Sequence, residues 1–157
     1  MSHVLVIFQA DTERTEQLAL AVGVGAVESE ASIRLRRLRK PGMLEVGHKG
    51  YGTLREADLL WADTVVVGLE GKMPDTEELN GLLEVVAGLD ADQMKGKEVW
   101  TFGAKGIAAE KTEAQTIAEG SLLASGMTLS SIGVSEASDL MERMKDAGRQ
   151  LGRERIR

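Results

Sequence analysis

The chain contains no cysteine. That excludes disulfides, thiolate nucleophiles, zinc–sulfur sites and iron–sulfur clusters. Aromatic residues make up only 3% of it, so few flat faces are available to stack on a ring: Phe8, Tyr51, Trp61, Trp100 and Phe102. Positive charge is in deficit, with 19 Lys and Arg against 25 Asp and Glu and a net charge of −6. Binding to nucleic acid needs clustered positive charge to displace counterions, and this balance argues against it. No apolar run approaches the roughly 20 residues that a membrane span needs. The start, MSHVLVIF, has no basic region ahead of its apolar run. It reads as a strand rather than a secretory leader, and the expected location is cytoplasmic. His3 and His48 lie far apart with no ligand-spaced companions. Both read as solvent-facing, and no metal site is expected.

What remains is an ordinary soluble composition, 43% hydrophobic and 28% charged over 157 residues. The length suits one domain spanning 1–157, and no internal linker, repeat or low-complexity tract divides it. Val4 to Phe8 is a continuous, β-branched-rich apolar run of the kind that suits a parallel strand buried on both faces. Leu18, Ala19, Val22 and Ala26 follow helical spacing, with Gly23 and Gly25 weakening that helix towards its end. Ser32 to Leu38 reads as a strand bearing arginines. Lys40 to Thr53, with Pro41 and four glycines (Gly42, Gly47, Gly50 and Gly52), reads as a long loop. Thr53 to Trp61 reads as a short helix capped by its threonine.

Thr64 to Gly68, TVVVG, is the clearest central strand. Asp75 to Gly88 reads as a helix with Leu79, Leu82, Leu83 and Val86 on one face. Gly96 to Gly103 reads as the next strand, and Ala108 to Ser125 as a helix anchored by Ile117, Leu122 and Leu123. Met127 to Val134 closes the sheet. Ser135 to Gly152 is a terminal helix with Ala137, Leu140, Met141, Met144 and Leu151 at period-3.6 positions. Strands alternating with helices predict an α/β fold, a parallel sheet covered by helices on both faces. Such sheets bind ligands at the carboxyl ends of their strands, where strand order reverses. Three loops therefore matter: Gln9–Thr15, Gly68–Pro74 and Gly103–Ala109.

The segments VLVIFQADTERTEQLALAV, TLREADLLWADTVVVG, GLEGKMPDTEELNGLL, MKGKEVWTFGAKG and LLASGMTLSSIGV follow one another in a recognisable order and spacing. From end to end the chain resembles the flavodoxin-like family. Within it the likeness is nearest to the flavodoxin-type NAD(P)H:quinone oxidoreductases first described as tryptophan-repressor-binding proteins. The Ala62–Gly68 pattern, Ala-Asp and then an apolar strand ending in glycine, carries most of that likeness. The resemblance implies a three-layer sandwich around a five-stranded parallel sheet in the order 2-1-3-4-5. It implies FMN as cofactor, electron transfer as activity, NAD(P)H and a quinone as partners, and a homo-oligomer. No side chain reads as a proton-transfer catalyst, which suits chemistry done by the flavin itself.

By the same resemblance the cofactor contacts fall on the three loops. In the first, the family's serine, two variable residues, glycine, variable residue and hydroxyl residue correspond here to Ala10, Asp11, Thr12, Glu13, Arg14 and Thr15. Thr15 fits and Thr12 offers a hydroxyl, while Ala10 removes one. Glu13 replaces the glycine that lets backbone amides curl around a phosphate. A helix N-terminus favours an anion by roughly 0.3–1 kcal/mol, up to about 2. A carboxylate ~4 Å away opposes it by about 1 kcal/mol in water and ~4 at a protein surface. Asp11 or Thr12 as a helix cap, with Glu13 on the helix dipole, is therefore a competing structural reading.

The second loop offers Gly68, Leu69, Glu70, Gly71, Lys72 and Met73. It keeps the glycine-x-methionine of relatives but lacks their aromatic and threonines. The third, Gly103, Ala104, Lys105 and Gly106, keeps two glycines, which suit either a ring edge or a plain strand-to-helix turn. Two functions follow as expectations: an FMN-binding redox domain with a degenerate site, or a flavin-free scaffold acting as a binding or structural protein. The basic run Arg34, Arg36, Arg37, Arg39 and Lys40 is expected on an edge strand, where charge discourages aggregation. A receiver-domain reading fails because Ser131 to Ser135 contains no lysine.

Overall fold

The computed structural model describes residues 2–9, 13–38, 52–69, 76–103, 113–130, 132 and 139–153. The chain runs β1 (His3–Phe8), α1 (Glu13–Glu28), β2 (Ser32–Arg37), β3 (Gly52–Thr53), α2 (Glu56–Trp61) and β4 (Thr64–Gly68). It continues through α3 (Thr76–Ala87), α4 (Ala91–Met94), β5 (Glu98–Phe102), α5 (Glu113–Ala124), β6 (Thr128–Leu129) and α6 (Leu140–Gly152). All strand pairs are parallel, and the sheet order is β3-β2-β1-β4-β5-β6. Five of these strands, β2-β1-β4-β5-β6, give the expected order 2-1-3-4-5. The sixth, β3, falls in the segment read as a loop. Two residues are too few to show a strand period, and β3 is defined only by pairing with Arg36 and Arg37 of β2.

The apolar runs of β1 and β4 are buried on both faces, as continuous hydrophobic strands in a parallel sheet must be. Val4, Val6, Phe8, Val66 and Phe102 face Leu18, Ala19, Val22 and Ala26 of α1 and Met144 and Leu151 of α6. Leu5, Ile7, Val65, Val67 and Val99 face Leu59, Leu82, Val86, Met94, Ala118 and Leu122 on the other side. Each valine, leucine, isoleucine, phenylalanine or methionine among them contributes about 1.5–3 kcal/mol on removal from water.

Three expectations are corrected by packing. Gly25, read as a weak point in α1, sits where a Cβ would come 1.9 Å from the Lys145 carbonyl oxygen. Opposite it, a Cβ on Gly148 would come 2.0 Å from the Val22 carbonyl oxygen. These glycines let α1 and α6 touch backbone to backbone. In α5, Leu122 is fully buried, but Ile117 is 36% exposed and Leu123 40%. The inward face of α5 is instead Gln115, Ala118, Glu119 and Leu122. And α2 starts after Arg55, not at Thr53, because Thr53 is engaged in β3.

The arginines of β2 are not on the outermost strand as expected, because β3 pairs outside it against Arg36 and Arg37. Arg34 Nη1 and Arg36 Nε each donate to a different carboxylate oxygen of Asp58, both at 3.1 Å. Asp58 is buried and also accepts the Arg55 amide at 3.1 Å. Arg34 lies 4.3 Å above the Trp61 ring, and His3 stacks on that ring at 4.6 Å. His3 is thus half-buried against an aromatic rather than solvent-facing. Arg39, Lys40 and His48 lie outside the described residues.

Helix α1 ends with Glu30 at φ +68°, the Ala31 amide reaching the Ala26 carbonyl at 3.0 Å and the Glu30 amide the Val27 carbonyl at 2.9 Å. This is a left-handed helix terminus, which glycine adopts without the steric cost borne by any residue with a Cβ. Glu30→Gly is expected to raise stability in urea melts by about 1 kcal/mol. An unchanged or lower midpoint contradicts the strain.

Candidate functional site

The ladder between β1, β4 and β5 continues one residue past the strands. The Gln9 amide donates to the Gly68 carbonyl at 3.1 Å, and the Leu69 amide donates to the Phe102 carbonyl at 3.0 Å. Phe8, Gly68 and Phe102 are register partners across the three strands. The chain therefore leaves β1, β4 and β5 side by side at one edge of the sheet. Helix α1 begins at Glu13, a few residues beyond Phe8, so its N-terminus stands at that same edge. Thr15, in its first turn, is fully buried, and Gln9 nearly so.

Two glycines at this edge are filled from inside the fold. A Cβ on Gly68 would meet the Phe102 ring at 2.3 Å. A Cβ on Gly103 would meet Oε1 of Gln115 at 2.8 Å and the Leu69 carbonyl oxygen at 3.8 Å. Behind Gly103 lies a buried polar cluster. Thr101 Oγ1 donates to Glu119 Oε1 at 2.7 Å, and Gln115 Nε2 donates to Thr101 Oγ1 at 3.2 Å.

No family model matches the chain, and no curated protein matches its sequence. Solved structures do. Oxidised flavodoxin 2 from Bacillus cereus matches with a TM-score of 0.67 at 20% identity, covering 94% of this chain and 95% of that one. Two-electron reduced flavodoxin from Megasphaera elsdenii matches with a TM-score of 0.65 at 17% identity, covering 95% and 98%. An NAD(P)H:quinone oxidoreductase from Methanothermobacter marburgensis matches with a TM-score of 0.59 at 17% identity, covering 99% of both chains. At these identities the likeness is one of fold.

This chain has a flavodoxin-like fold.

In this flavodoxin-like fold, the structure gathers part of the sequence-predicted site. Glu13 and Arg14 open α1, Thr15 is buried in its first turn, and Gly68, Leu69 and Gly103 end or follow β4 and β5. Ala10, Asp11, Thr12, Glu70, Gly71, Lys72, Met73, Ala104, Lys105 and Gly106 lie outside the described residues. Sequence reading missed Thr101, Gln115 and Glu119. The signal was present: positions 115, 118, 119 and 122 share one helix face by 3.6-residue spacing. Two polar residues on that face hid it. Among the described residues, no helix is long and apolar enough to cross a membrane.

Proposed function

We propose that this chain, as one domain over 1–157, is a flavodoxin-like redox domain that binds FMN where β1, β4 and β5 end. It would pass electrons between NAD(P)H and a quinone, as a cytoplasmic homo-oligomer. One observation carries the reading. Helix α1, sixteen residues long, starts directly behind the end of β1 with Thr15 buried in its first turn. The first turn of a helix leaves amides that the helix itself does not use, and its dipole favours an anion there. Those amides and that dipole support the phosphate end of FMN at this turn. When bound, the flavin supplies the electron-transfer chemistry, and the protein supplies binding, orientation and electrostatics.

A second reading, the flavin-free scaffold, is favoured by separate observations. The first residue of α1 is Glu13, an acidic residue type where the family has glycine. Gly68 and Gly103 have internal reasons to be glycine, the Phe102 ring and the Gln115 carboxamide.

Titrating FMN into the purified flavin-free protein separates the two. The redox reading predicts saturable quenching of flavin fluorescence and a melting temperature that climbs with FMN. At roughly a hundredfold excess over Kd the added stability is about 2.7 kcal/mol. Unquenched flavin and an unmoved melting temperature at millimolar FMN support the scaffold and overturn the redox reading.

A further inference from the structure

The inward face of α5 changes character along its length. Ala118 and Leu122 pack into the apolar core beneath the sheet. Gln115 and Glu119, on the same face, are equally hidden, at 5% and 7% exposure. Burying a carboxylate and a carboxamide costs free energy that two leucines would not, unless their polar atoms are satisfied. Here they are tied into one directed chain. The Gln115 carboxamide N–H donates to the Thr101 hydroxyl, and that hydroxyl donates to the Glu119 carboxylate. With its nitrogen engaged this way, Gln115 turns its oxygen towards Gly103, 2.8 Å from where a Cβ would stand. The same point lies 3.8 Å from the carbonyl oxygen of Leu69. The cluster thus sits under Leu69 and Gly103, the starts of the second and third loops.

We propose that Gln115 and Glu119 are positioning residues: through Thr101 they brace Gly103, and so fix where the third loop leaves β5 at the flavin edge. Glu119 orients the Thr101 hydroxyl, the hydroxyl orients the Gln115 carboxamide, and the carboxamide fills the space beside Gly103. A purely apolar contact would hold the helix to the sheet equally well, but it would not select one orientation of the side chain that faces the loop. The value of the brace for ligand binding rests on the flavin reading; the brace itself does not.

The test has two arms. In the flavin-free protein, amide hydrogen exchange of Gly103 is compared with that of Val65, Val66 and Val67 in the sheet centre. Gln115→Met and Glu119→Leu, which remove the polar ends, are expected to speed exchange at Gly103 by about tenfold or more while the β4 amides stay as they were. Glu119→Gln keeps an oxygen acceptor for Thr101 and is expected to restore the wild-type rate to within about threefold. In the second arm, FMN affinity falls with Gln115→Met and Glu119→Leu and recovers with Glu119→Gln. Gly103 exchange that is unchanged in Gln115→Met and Glu119→Leu overturns the proposal. So does an FMN affinity that ignores them in a protein whose wild type binds FMN. A wild type that binds no FMN, with Gly103 exchange raised as expected, supports the brace and counts against the flavin reading alone.

Discussion

Gly148→Ala is expected to lower the thermal midpoint by roughly 6–12 °C, the shift that corresponds to a loss of about 3 kcal/mol in a domain of this size. The added methyl would stand 2.0 Å from the Val22 carbonyl oxygen and 2.9 Å from its carbon. Both atoms are backbone, so no rotamer change relieves the overlap, and the two helices must move apart. Overpacking typically costs about 1–3 kcal/mol, and a contact with a rigid backbone belongs at the upper end. Gly152 continues the same seam, its Cβ position 2.8 Å from Ala26 Cα. Separation here would also loosen Met144 and Leu151 from the sheet face they cover. Gly120→Ala in α5 is the matched control. Nothing lies within 4 Å of its Cβ position, so alanine there should be neutral or stabilising by up to about 1 kcal/mol through helix propensity. A Gly148→Ala protein that melts like wild type contradicts the close packing of α1 on α6.

The double variant Ala10→Ser, Glu13→Gly is expected to raise FMN affinity by at least about tenfold, which is about 1.4 kcal/mol. Glu13 opens the helix whose N-terminus faces the edge where the three loops begin. A carboxylate near a phosphate there costs between ~1 and ~4 kcal/mol, depending on how wet the site is. That range equals or exceeds what the helix N-terminus gives back, about 0.3–2 kcal/mol. Removing the charge should therefore dominate, with the serine hydroxyl adding a donor. Glu13→Gln alone separates charge from backbone freedom, and should recover most of the gain if repulsion is the main obstacle. Fluorescence quenching of FMN measures both. No gain from the double variant would place the obstacle in the second loop, Gly68–Pro74, which lacks an aromatic.

How much of this was legible depended on whether the information was local. TVVVG and VLVIF declared themselves because strands buried on both faces must be apolar throughout. Leu18, Ala19, Val22 and Ala26 declared α1 by period. Gly25 and Gly148 were opaque, since their reason is another helix far away in sequence. Strand β3 was invisible because two residues carry no pattern. Leu122 was read correctly as an anchor of α5, but Ile117 and Leu123 were not, because hydrophobic periodicity assumes an apolar inward face, and Gln115 and Glu119 break that assumption beside the site. Asp58 likewise gave no sign that it gathers Arg34 and Arg36. The sequence-predicted site is legible as a place, the edge where Gln9, Leu69 and Gly103 emerge together. Its cofactor chemistry is a matter of measurement.

That measurement is amide mapping of the flavin-free, ¹⁵N-labelled protein during addition of FMN, with riboflavin as the phosphate-free control. The account predicts saturable shifts of the Glu13, Arg14 and Thr15 amides with FMN, and much weaker ones with riboflavin. Amides that stay still, or that respond equally to both compounds, would contradict a phosphate held at the start of α1.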